Sequence, residues 1–130
     1  MRKEKKHIKS RAERMLLKRV YWLEDHKHPV KFVTSKILRD YGGMNAEAAK
    51  EMGFPWPKGF SRKGYLISAT SPPDVQFVDL GHENHEFTLM GKGLKYWPAH
   101  CYSTKNEKSD WKALKSGRDS LVDRHMEGES

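Results

Sequence analysis

A single cysteine, Cys101, in 130 residues leaves no partner for an intrachain disulfide, so the fold must be held by its core alone. Long apolar runs are also missing. Nothing approaches the roughly 20 consecutive apolar residues that span a bilayer. The basic N-terminus is not followed by an uninterrupted apolar stretch, because Lys18 and Arg19 divide the cluster at residues 15–23. A secretory signal is therefore not expected, and a cytoplasmic location is the default. Motif chemistry is equally sparse. There is no CxxC pair, HExxH helix, Gly-rich phosphate loop, G-x-S-x-G elbow or dinucleotide fingerprint. No internal repeat is visible, and no bound cofactor is implied.

What is present in excess is positive charge, and it is local. The first nineteen residues hold nine Lys and Arg side chains against Glu4 and Glu13. The chain as a whole is +8, so almost all of the imbalance sits there. Such a segment points to a polyanion, most directly nucleic acid, contacted through Lys5, Lys6, Lys9, Arg11, Arg14, Lys18 and Arg19. The spacing of Ile8, Ala12, Met15, Leu16, Val20 and Leu23 predicts a helix over residues 3–24. Its apolar half at 16–23 would dock on the core or, alternatively, on a partner chain or second copy.

Four Trp, five Tyr and five Phe supply core volume to a chain only 36% hydrophobic. The division expected is a basic, partly frayed arm over 1–14, one globular domain over 15–105, and a polar linker with a weak helix over 106–130. Residues 34–53 suggest two short helices around Gly42 and Gly43, the outline of a helix-turn-helix. Glu47 and Glu51 on the second would repel phosphates, so packing of Ile37, Leu38, Ala48, Ala49 and Met52 is the better reading. In the loop over 55–65, Trp56, Phe60 and Tyr65 alternate with Lys58, Arg62 and Lys63, a pattern that stacks bases while neutralising phosphates. The alternative is that these aromatics cap the core.

Ser71-Pro72-Pro73-Asp74 reads as a turn, and 75–80 alternates like a strand. Residues 85–90 and 94–100 flank Gly91-Lys92-Gly93 as in a bulged hairpin. The fold expected is therefore α+β: a basic helix and a helical pair on a three- or four-stranded antiparallel meander over 65–103, then a C-terminal helix.

Two functional readings follow. The first is a non-enzymatic nucleic-acid-binding or regulatory protein of low sequence specificity, contacting phosphates through the basic helix and through Trp56, Lys58, Arg62 and Lys63. DNA and RNA are not distinguished. The second is a metal-dependent nuclease. In it His82 or His85, or the Asp25-His26 pair, acts as general base. Asp79, Glu83 and Glu86 hold a divalent ion, and Lys92 or Lys95 faces the developing phosphorane. A zinc set drawn from His82, His85 and His100 belongs to this second reading. Histidines in a basic protein are otherwise expected at the surface.

Overall fold

The computed structural model describes residues 9–116, which form an α+β domain of five helices and one three-stranded sheet. Lys5 and Lys6, with the other basic residues of 1–8, lie outside the described residues, as does 117–130.

Helix α1 spans Arg11–Asp25. Its start is set by Ser10, whose Oγ accepts from the Glu13 N–H at 3.1 Å while Glu13 Oε1 accepts from the Ser10 N–H at 2.8 Å. This reciprocal capping box satisfies two orphan amides and begins the helix later than the apolar spacing suggested. Ser10→Ala should therefore lower stability by about 1 kcal/mol, read from urea unfolding midpoints. The far end closes on Lys27 at φ +72°, with the His28 N–H donating to the Leu23 carbonyl at 2.9 Å. Pro29 then leads into strand β1, Val30–Val33.

A single turn, α2 (Ser35–Leu38), precedes β2 (Gly43–Asn45) and α3 (Ala46–Met52). The helical pair is thus divided by a strand, and no helix-turn-helix forms. Asn45 caps α3 by accepting from the Ala48 N–H at 2.9 Å. Leu38, Ala48 and Ala49 are buried, whereas Ile37 is exposed.

Strand β3 (Tyr65–Ser68) is central, parallel to β1 and antiparallel to β2, in the order β1-β3-β2. The period-two alternation of a strand sorts its side chains. Tyr65 and Ile67 join Met15, Leu16, Val20, Leu23, Phe77 and Leu80 on one face, and Leu66 joins Val33, Leu38, Met44, Ala49 and Phe54 on the other. Leu16 and Leu23 are therefore spent on the chain's own core.

The antiparallel meander is not what the chain builds. After β3 come two long helices, α4 (Pro73–Gly91) and α5 (Tyr96–Ser116), packed on each other. Pro72 and Pro73 stand at the start of α4, where a missing N–H costs nothing and a φ near −65° is pre-set, with Asp74 favouring the first turn. The Gly91-Lys92-Gly93 segment ends α4 and turns the chain into α5, with Gly93 at φ +107°. It joins helices rather than strands. Pro98 falls in the first turn of α5, where it is tolerated. Residues 106–116, expected as a polar linker followed by the start of a weak terminal helix, continue α5 without interruption.

Candidate metal centre

Helix α1 is tied to α4 and α5 by an ion pair that reaches into the core. The Arg19 guanidinium donates to Asp110 Oδ2 and Oδ1 at 2.9 and 3.0 Å and to the Phe77 carbonyl at 2.8 Å. It also lies over the Phe77 ring, 3.7 Å from its centre. Only glycine fits at 81, since a Cβ there would stand 2.4 Å from Arg19 Nη1 and 2.6 Å from Asp110 Oδ2. Arg19 is consequently a buried structural group, which corrects its expected role as a phosphate contact.

This clamp sets α4 against α5 along a second, polar seam. At about 100° per helical residue, Asp79, His82, Glu83 and Glu86 share one face of α4, and Tyr96, His100 and Glu107 share one face of α5. They meet around a cavity of about 120 Å³ that is also lined by Tyr41, Gly42, Gly43, Met44 and Met52. His82, Glu83 and Glu86 are buried.

Three atoms form a nearly equilateral triangle in this seam. His82 Nε2 is 3.0 Å from Glu86 Oε2, His100 Nδ1 is 3.0 Å from the same oxygen, and the two ring nitrogens are 3.1 Å apart. The three atoms lie close enough together for one divalent ion, with bonds of about 2.0–2.1 Å, to be held by all of them. Two imidazoles and one carboxylate are the donor set of catalytic zinc sites, and they also suit other divalent first-row ions.

The surroundings aim these donors. Glu107 Oε2 accepts the His82 Nδ1–H at 2.7 Å, which leaves Nε2 as the nitrogen turned to the triangle. The Asn45 amide donates to Glu83 Oε1 at 2.9 Å and to Glu86 Oε1 at 3.0 Å, leaving Glu86 Oε2 for the triangle. The glycine pair makes room for the acids. A Cβ on Gly42 would lie 2.2 Å from Asp79 Oδ2, and one on Gly43 would lie 3.0 Å from Glu83 Cγ.

So many carboxylates in one seam perturb each other. Burial, then the charge of Glu107, pushes the Asp79 carboxyl up to about 6, with His82 opposing. Burial raises Glu83 as well, followed by the neighbouring Glu86 charge. For His82 burial acts downward, but hydrogen bonds to Glu107 and Glu86 and the charges of Glu83 and Glu86 outweigh it and push the imidazole up to about 10. Without an ion, His82 is held as an imidazolium between two carboxylates. A divalent cation would take the place of that proton.

The expected zinc set of His82, His85 and His100 is thus corrected at one member. On a helix, Glu86 turns back toward His82, whereas His85 falls on the other flank and pairs through Nδ1 with Ser103 Oγ at 3.2 Å. Lys92 and Lys95 are exposed at the α4–α5 turn and do not line the cavity. His26 stacks on Trp22 at the end of α1, 3.6 Å between ring centres, apart from the seam.

The other expected nucleic-acid contacts divide. Lys9, Arg14 and Lys18 are exposed along α1 and its approach, and Arg11 is half-buried. Lys58, Arg62 and Lys63 are exposed. Trp56 is half-buried against the Leu66 side of the core, its Nε1–H shared between the Phe60 and Ser61 carbonyls at 3.2 and 3.3 Å. Its ring caps the core, and Tyr65 lies fully inside.

Glu107, Asn45 and Tyr96 were missed by sequence reasoning, which named Glu86 as an ion-holding acid but did not join it to His100. The available signal was the spacing of Asp79, His82, Glu83 and Glu86 at i, i+3, i+4 and i+7. No helix among the described residues is long and apolar enough to cross a membrane. Compared with known proteins, the chain matches no family model, no curated protein and no solved structure.

Proposed function

We propose that this protein is a divalent-metal-dependent hydrolase of nucleic-acid phosphodiesters. The observation that carries the reading is the triangle of His82 Nε2, Glu86 Oε2 and His100 Nδ1, with Glu107 holding the His82 tautomer from behind. A bound ion would polarise a phosphoryl oxygen and make water a stronger acid at neutral pH. Asp79 and Glu83 line the same cavity outside the triangle and are the groups placed to accept the water's proton. Glu83 is oriented for this by Asn45. In the hydrolysis a water oxygen bonds to phosphorus, its proton passes to a carboxylate, and the P–O bond to the leaving sugar oxygen breaks. That oxygen takes up a proton, so one water is consumed for each ester cleaved.

Charge explains why the ion and the basic residues are both needed. A cavity lined by Asp79, Glu83, Glu86 and Glu107 repels a phosphate until a cation occupies it. The basic residues of the N-terminal stretch, among them the exposed Lys9 and Arg14, would then attract the polyanion, which keeps nucleic-acid contact within the same proposal.

The test is metal removal. Protein stripped with chelator and reloaded with zinc or manganese should carry one ion per chain by elemental mass spectrometry. Loaded protein should cleave a labelled DNA or RNA oligonucleotide, and stripped protein should not. The reading is abandoned if no stoichiometric ion is found, or if loaded protein leaves both nucleic acids intact.

A further inference from the structure

Along the outside of α5, next to the cavity, runs a row of positive charge that the metal centre does not use. With Trp97 as origin and about 100° per residue, Lys105, Lys108, Lys112 and Lys115 all fall within an arc of about 80°. His100 and Glu107 lie on the neighbouring arc, turned into the seam. All four lysines are exposed, and none makes an ion pair among the described residues. The acids nearest in sequence, Glu107 and Asp110, are engaged with His82 and Arg19. Nothing on the helix neutralises the row.

Trp97 stands at the cavity end of this row. It is 66% exposed, and one face of its ring stacks on His100 at 5.7 Å between centres. Its other face is open to solvent, and an exposed aromatic face at the end of a basic row is a surface on which a base can stack. A base attached to a phosphate held at the triangle would extend from the cavity of about 120 Å³ toward its rim. The free face of Trp97 is where such a base can stack. Tyr41, which lines the cavity from the β2 side, is 44% exposed.

Resting on the hydrolase reading, we infer that the outer face of α5 is the substrate track, and that the substrate is single-stranded nucleic acid. A base stacks on Trp97 while the adjoining phosphates follow Lys105, Lys108, Lys112 and Lys115 away from the cavity. A duplex keeps its bases paired and stacked on each other and cannot offer one to an exposed ring without paying for its extraction. The row lies outside the acidic cavity, so its contribution to binding does not require the ion.

The experiment is fluorescence anisotropy with the full chain, metal-loaded and stripped, using a short phosphorothioate-linked single strand and the corresponding duplex over a salt series. Changing the four lysines to glutamine should weaken single-strand binding at least tenfold. It should flatten the slope of log K against log salt by about 3, since each contact to a single strand contributes about 0.7. Trp97→Ala should weaken single-strand binding roughly 5- to 100-fold and leave duplex binding unchanged. Both effects should persist in stripped protein. The track is overturned if the lysine variant binds with wild-type affinity and slope, and the single-strand assignment is overturned if Trp97→Ala binds the single strand as wild type does or loses both substrates equally. Metal stoichiometry measured on the same samples separates the two readings. A chain that binds along α5 but holds no ion sinks the hydrolase alone.

Discussion

Replacing His82 by alanine is expected to abolish stoichiometric metal binding, and replacing Glu107 by alanine to weaken it about 10- to 100-fold. The two effects differ in size because the side chains act at different removes. His82 contributes a corner of the triangle, and without Nε2 only Glu86 and His100 remain, two donors where a catalytic site needs three. Glu107 contributes orientation and charge through its 2.7 Å bond to Nδ1. Glu107→Gln keeps an acceptor for that N–H and loses the charge, so it should fall between wild type and alanine. Competition against a chromophoric chelator measures all three affinities, and circular dichroism checks that each variant is folded. Zinc held by His82→Ala as tightly as by wild type would remove the centre from its assigned position. The graded order of the variants distinguishes a metal site from a purely structural cluster, which would show no affinity to grade.

Asp110→Ala should cost about 3–5 kcal/mol of stability, enough to leave much of the chain unfolded at ordinary temperatures. The reason is what it leaves behind. Arg19 has no exposed side-chain surface and Asp110 only 3%, so the guanidinium would remain charged in the core without its carboxylate. Arg19 also lies against Phe77 and Gly81, and it has no route to water without unpacking α1 from α4. Removing both charges is a different experiment. Arg19→Met combined with Asp110→Leu discards the desolvation cost along with the attraction, and should be more stable than either single variant. Urea unfolding of the three proteins decides it. A loss below about 1 kcal/mol for Asp110→Ala would mean that the pair is not buried in solution as it is here.

The α+β class, the position of α1's apolar face and the helical nature of residues 46–52 were legible from residue pattern alone. The helices α4 and α5 were not, and the seam explains why. A core-facing helix is recognised by apolar residues on its inner side. The inner side of α4 instead alternates between Phe77 and Leu80, which meet the core, and Asp79, His82, Glu83 and Glu86, which meet α5. Polar residues therefore appear where the pattern demands apolar ones, and the residual alternation of 75–80 imitates a strand. The Ser-Pro-Pro-Asp start was read as a turn because the same residues that make turns also begin helices. With α4 expected as strand and turn, Glu86 and His82 share a proposed site but not a helix face, and their meeting with His100 is not visible. Trp56 misled for another reason. Alternation of aromatic and basic residues says nothing about which way a ring faces, and this one faces inward.

The bond between Arg19 and Asp110 spans 91 positions of sequence. During synthesis α1 emerges well before α5, so the carboxylate that lets its arginine enter the core follows 91 residues later. Until then α1 has a charge on its packing face and a reason not to commit. The metal seam requires α5 as well, so helix docking and site assembly wait on the same late segment. A growing chain therefore carries α1 undocked before it carries the assembled α4–α5 seam, and the step that locks the first in place also completes the second.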